Sequence, residues 1–127
     1  MIEIKKVAFE PMNEIHENET KILEKLIEKI EKKESLEEIY EEFLNDVKNH
    51  FAFEEKLMDK YDFFAKIPHK MEHTRIINEL EELKKELSNY DLLKKYFQEH
   101  FLPWLDNHIA TMDTVTGGFF NMINAQI

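Results

Sequence analysis

The stretch SLEEIYEEFLNDVKNHFAFEEKLMDKY, residues 35–61, decides how this chain folds. Ser35 followed by Glu38 reads as a capping box that opens a helix. Behind it Leu36, Ile39, Phe43, Val47, Leu57 and Tyr61 recur on one side at helical spacing. His50 and Glu54 stand in that same stripe. A buried acid is costly unless it is paired, protonated or bound to metal. A step of four moves a side chain only about 40° around a helix, so His50 and Glu54 point to one place.

Outward from this helix the pattern repeats. Residues 12–32 form a first helix with Met12, His16, Leu23, Ile27 and Ile30 on one side. Residues 62–67 connect to a third, where Pro68 sits in the first turn and its missing N–H costs nothing. That helix aligns His69, His73, Ile76, Leu80, Leu83 and Leu87. Ser88 or Asn89 caps a fourth, which runs to Thr116 and stops at Gly117-Gly118. Within it, Pro103 removes the helical partner of the Glu99 carbonyl and bends the helix before Trp104. Short connections make neighbours antiparallel, so the expected fold is all-α, an up-down-up-down four-helix bundle. The expected organisation is a single domain over 1–127: an arm (1–11), the bundle (12–116) and a tail (117–127) whose apolar residues pack over the bundle's ends.

Four helices thus carry His16, His50 with Glu54, His69 with His73, and His108 with Asp113, and five of the chain's six histidines are used. His100, about 80° from His108 on the fourth helix, reads as a boundary or surface residue. His50/Glu54 and His69/His73 can each grip one buried metal. The five-residue step from His108 to Asp113 turns roughly 140°, so those two do not chelate one atom in the same way and suit two adjacent ions. The donors are all nitrogen and oxygen, and the chain has no cysteine. That disfavours thiolate zinc and iron–sulfur sites and suits iron best. A carboxylate offers two oxygens, so Glu54 and Asp113 read as bridges and the five histidines as terminal ligands. No histidine has a glutamate three residues before it, unlike the carboxylate-rich ferritin-like sites.

On these residues the chain resembles the hemerythrin-like family in its bacterial single-domain form. The matching segments are MNEIH (12–16), HFAFE (50–54), HKMEH (69–73) and WLDNHIATMD (104–113), and the likeness covers essentially the whole chain. The resemblance implies a non-haem di-iron centre with an oxo or hydroxo bridge. One iron would take His69, His73 and His108, and the other His16 and His50 with an open place for dioxygen. Phe51, Trp104, Leu105 and Ile109 match the family's apolar lining of the gas pocket. The implied role is a binding protein rather than an enzyme, for storage, delivery or sensing of dioxygen or another diatomic such as nitric oxide. The alternatives are a di-iron oxidase or peroxidase, and iron handling.

Glu19 departs from the family, which usually has an apolar residue there facing the gas. It falls about 60° from His16, inside the apolar arc of Met12, Leu23 and Ile30. Such an acid is expected to coordinate the less-coordinated iron, to hydrogen-bond something bound to it, or to swing to the rim. In the first two cases it alters the open site and favours the oxidase alternative. Thr20 beside it is also more polar than a gas pocket wants.

Composition agrees with a small bundle. The 127 residues include only 2 Gly and 3 Pro, and Glu, Lys, Leu and Ile dominate. A net charge of -10 excludes nucleic acid and anionic membrane as partners and favours solubility. No segment approaches the roughly 20 apolar residues of a membrane span, and the first residues lack the apolar core of a signal peptide. The expected compartment is the cytoplasm.

Overall fold

Three long helices form where the sequence repeats its apolar stripe: α1 (Glu10–Glu31), α2 (Glu37–Lys60) and α3 (Lys66–Leu83). The computed structural model describes residues 2–127 and contains no strand among them. A 3₁₀ turn, Lys84–Glu86, leads to a fourth helix built of five consecutive pieces: Tyr90–Tyr96, a π turn at Phe97–Phe101, Leu102–His108, a second π turn at Ile109–Asp113, and Thr114–Met122. α1 packs on α2, α2 on α3, and the fourth helix returns against α1. Joined by short connections, these make the up-down-up-down bundle. No described helix is long and apolar enough to cross a membrane.

The predicted inner faces are the buried ones. Met12, Leu23 and Ile30 of α1, Phe43, Val47 and Leu57 of α2, and Ile76 and Leu80 of α3 all lie in the core, while Tyr61, Leu83 and Leu87 pack at its edge. At the far end Tyr40, Phe43, Phe97 and Phe101 meet edge to face or tilted. At the near end Phe9, Phe63 and Phe120 close the bundle.

Several boundaries differ from the sequence reading, each for a physical reason. The Ser35–Glu38 box does not form. α2 starts at Glu37 behind an uncapped Leu36, whose burial fixes the first turn instead. Asn89 does cap the fourth helix, its side chain accepting from Leu92 N–H at 3.2 Å. Pro103 lies inside that helix, as the sequence places it. The π turn just before it closes with Leu102 N–H on the Phe97 carbonyl, and the wider turn makes room for a ring that would clash with the carbonyl four residues back.

Gly117 and Gly118 do not stop the helix, which continues to Met122, so Phe119 and Phe120 are helical rather than part of a tail. Gly117 serves a close approach: a Cβ there would meet Val7 Cβ and Cγ2 at 3.1 Å. The N-terminal arm is pinned at that spot. Val7 N–H donates to Asn13 Oδ1 and Asn13 Nδ2 donates to the Val7 carbonyl, both at 2.9 Å. Ends form elsewhere without glycine: Lys33, Asp62 and Asn124 take positive φ, and the N–H of the residue after each bonds back to Lys29, Met58 and Phe120.

Candidate metal centre

α1 contributes His16 and α2 contributes His50 and Glu54, the latter two held in line by their four-residue step. α3 contributes His69 and His73, and the fourth helix His108 and Asp113. None of the seven is more than 3% exposed. In a regular α-helix His108 and Asp113 would stand roughly 140° apart. The π turn Ile109–Asp113 winds more widely than an α-helix, which brings both side chains to one face, and His108 Nε2 lies 3.2 Å from Asp113 Oδ1. Thr114 steadies the wide turn, its hydroxyl donating to the Ile109 carbonyl at 2.7 Å.

The donors fall into two groups, His69, His73 and His108 on one side and His16, His50, Glu54 and Asp113 on the other, with ligand atoms within 4.8 Å inside each group. Each carboxylate faces both ways. Glu54 Oε2 lies 2.6 Å from His50 Nε2 and 3.7 Å from His16 Nε2, while its Oε1 lies 3.4 Å from His69 Nε2 and 3.4 Å from His73 Nε2. Asp113 Oδ2 lies 3.2 Å from His16 Nε2, and its Oδ1 lies 3.2 Å from His69 Nε2.

This cluster is poorly satisfied by the protein itself. His16 Nε2, His73 Nε2, Glu54 Oε1 and both Asp113 oxygens are buried without a hydrogen bond. His69 Nε2 and His108 Nε2 face each other at 3.2 Å. Buried polar atoms are normally bonded, and an orphaned set of nitrogen and carboxylate donors converging on one region fits cations between them. With protons as the only cations, burial opposes charge on His16 and His69, yet the Asp113 and Glu54 carboxylates outweigh it and raise both to about 9. Burial likewise opposes charge on Glu54 and Asp113, and the surrounding imidazoles hold both well below the usual carboxylate range.

Outer partners orient the rings. His69 Nδ1 pairs with Thr116 Oγ1 at 2.8 Å, His73 Nδ1 with Glu55 Oε2 at 3.0 Å, and His50 Nδ1 with Glu19 Oε2 at 3.1 Å. Sequence reasoning missed Thr116 and Glu55. Thr116 carries a legible signal, being one turn beyond Asp113 on the same helix, whereas nothing marks Glu55 off from its many acidic neighbours.

Of the residues expected to line a gas pocket, Phe51 and Trp104 contact donor histidines. Phe51 stacks on His73 with centroids 3.8 Å apart, and Trp104 stacks on His108 at 4.7 Å while its Nε1–H donates to Glu72 at 2.6 Å. Leu105 and Ile109 are buried in the core. Glu19 is 2% exposed, so it has not swung to the rim. Its bond runs to the outer nitrogen of His50 rather than into that apolar lining. Thr20 spends its hydroxyl on the backbone carbonyl of His16, which accounts for a polar residue in the apolar arc. His100 is exposed and takes no part.

Comparison with known proteins agrees with this arrangement. The model of the family described as "Hemerythrin HHE cation binding domain" matches residues 7–118. The chain is 34% identical over 119 residues to "Bacteriohemerythrin" of Aquifex aeolicus (strain VF5), a match covering 89% of this chain and 90% of that protein. No solved structure matches it. A donor cluster that the protein leaves unsatisfied, inside a family described by cation binding, marks a metal-binding protein, and the chain belongs to the hemerythrin family.

Proposed function

We propose that this chain holds two iron ions and binds dioxygen reversibly, as a carrier, store or sensor. The observation that carries the reading is the two-way aim of Glu54 and Asp113: each places one oxygen toward His16 and the other toward the His69, His73 and His108 group. Two carboxylates so placed suit a pair of ions. His69, His73 and His108 would hold one and His16 and His50 the other, with Glu54 and Asp113 between. Imidazole with carboxylate favours iron, and a relative bears the name Bacteriohemerythrin. When bound, a ferrous pair supplies the two electrons that dioxygen takes up reversibly.

The chain's own residues supply the environment. Phe51, Leu105 and Ile109 are buried and apolar, and they keep water and stray protons from that face. Trp104 covers His108 from the solvent side. Glu19 bonds to His50, so no acid of α1 is left free to donate a proton there, and binding is favoured over an oxidase or peroxidase.

Metal analysis of protein purified from iron-replete cells is expected to give about two irons per chain, and His73→Ala about one. Anaerobically reduced protein exposed to air should develop a visible absorption band that vanishes under argon and returns with air. One zinc per chain without iron would defeat the reading. Conversion to a stable ferric form with release of hydrogen peroxide would assign an oxidase instead.

A further inference from the structure

We infer that Glu19 is a positioning residue for the metal centre: its buried carboxylate holds His50 with the ring proton on Nδ1 and the Nε2 lone pair aimed inward. The inference rests on the metal reading above and extends it to the two-histidine end.

Glu19 lies in the apolar arc of α1 at 2% exposure, beside the fully buried Met12 and Leu23. A carboxyl group in such a place requires a hydrogen-bond partner, and His50 Nδ1, 3.1 Å from Oε2, is the one it has. An ionised carboxylate only accepts hydrogen bonds, and a neutral imidazole carries a single N–H. Carboxylates flank both ring nitrogens, Glu19 at Nδ1 and Glu54 at Nε2, so a cation on Nε2 leaves the one ring proton on Nδ1, where Glu19 accepts it. The other nitrogen, Nε2, sits 2.6 Å from Glu54 Oε2, on the side of His16 and Asp113.

The outer partners differ along the centre. His69 has a hydroxyl, Thr116, and His73 has Glu55, whose side chain is 32% exposed and shares its charge with solvent. Glu19 is the fully buried acid among them, and a carboxylate acts more strongly where the dielectric is low. It serves the group with two imidazoles rather than three, where each donor matters more. A carboxylate on Nδ1 raises the basicity of Nε2 and so the affinity of the ion it faces. A recess of about 240 Å³, lined by Asn18, Asp46, Asn49 and the edge of His50, opens beside this pair. Glu14 also lines it, so a small anion would have to pass the Glu14 and Asp46 carboxylates to reach His50 once the Glu19 side chain is shortened.

The test uses full-length protein with Glu19→Gln, Glu19→Leu and Glu19→Ala. Ferrous iron is titrated anaerobically against a competing chelator. Glu19→Leu should weaken the second ion by on the order of 10- to 100-fold and leave the first near its wild-type affinity. Glu19→Gln, which keeps a hydrogen-bond acceptor and the shape but loses the charge, should recover part of the loss and bind the second ion with an affinity between those of wild type and Glu19→Leu. Formate added to Glu19→Ala should restore second-ion affinity, whereas chloride at equal strength should not.

An independent readout uses the zinc-loaded protein, which is diamagnetic. Nitrogen-15 spectra should show the His50 Nδ1–H slow to exchange in wild type and fast in Glu19→Leu. Equal second-ion affinity in wild type and Glu19→Leu would overturn the inference, as would a His50 bound to zinc through Nδ1. Failure of the dioxygen reading looks different: wild type would lack two irons or the reversible band, while the zinc spectra would still report on Glu19.

Discussion

Glu54 and Asp113 carry two oxygens each into a buried space shared by five imidazoles, and their charges set how the centre responds to pH. His16 and His69 rise from 6.5 to about 9, because the carboxylates beside them outweigh the opposing effect of burial. A raised imidazole stabilises the fold fully below about 6.5, and that contribution disappears as pH climbs through about 9. The lowered carboxylates act in the opposite sense, adding stability above their ordinary range near 4 and losing it as pH falls below that. Chelator-stripped protein is therefore expected to melt at progressively lower temperature from pH 6.5 to pH 9. Loaded protein should not follow, since bound cations take the place of the protons and their affinity rises with pH. Thermal melts of both forms at these pH values check the claim, and a flat profile for the stripped protein would refute it.

At the scale of the helix, the fourth helix shows how local winding serves the site. An α-helix cannot bring residues five apart onto one face, and the π turn Ile109–Asp113 does. Farther along, two adjacent glycines have opposite roles. A Cβ at Gly118 would meet no neighbouring group within 4 Å, and the position lies inside a helix, so Gly118→Ala should raise stability by about 0.5–1 kcal/mol. Gly117→Ala should gain nothing or destabilise, because the new methyl meets Val7 at 3.1 Å and the arm there is tied down by Asn13. Denaturant melts of the two variants side by side distinguish propensity from packing. Equal gains would show that the arm yields freely.

For the molecule as a whole, the polar centre is sandwiched between the aromatic layer of Tyr40, Phe43, Phe97 and Phe101 and the closure formed by Phe9, Phe63 and Phe120. The closure depends on the arm, and the arm depends on Asn13. Asn13→Ala removes both bonds to the Val7 backbone and leaves a buried N–H and carbonyl unpaired, at a cost of about 1–3 kcal/mol. Because folding and metal binding are linked, the variant should also release metal to a chelator faster than wild type. Unchanged melting and unchanged release would mean that the arm is a passive cover.

The bundle and the inward faces of His16, His50, Glu54, His69 and His73 were legible in the sequence because both follow from one local period. Apolar residues and ligands recurring at steps of three and four must share a helix face, whatever lies across from it. Short connections then leave few ways to assemble four such faces. What the tertiary structure alone decided are matters of through-space partnership. The wheel placed Glu19 correctly inside the core, but only the approach of α2 made His50 its partner. Thr116 and Glu55 became ring anchors only when α3 lay beside them. Gly117-Gly118 reads as a stop until Val7 arrives to occupy the missing Cβ, and the step from His108 to Asp113 reads as divergent until the helix widens. Periodicity describes a helix by itself, while these four features are set by what stands opposite it or by a departure from its regular winding.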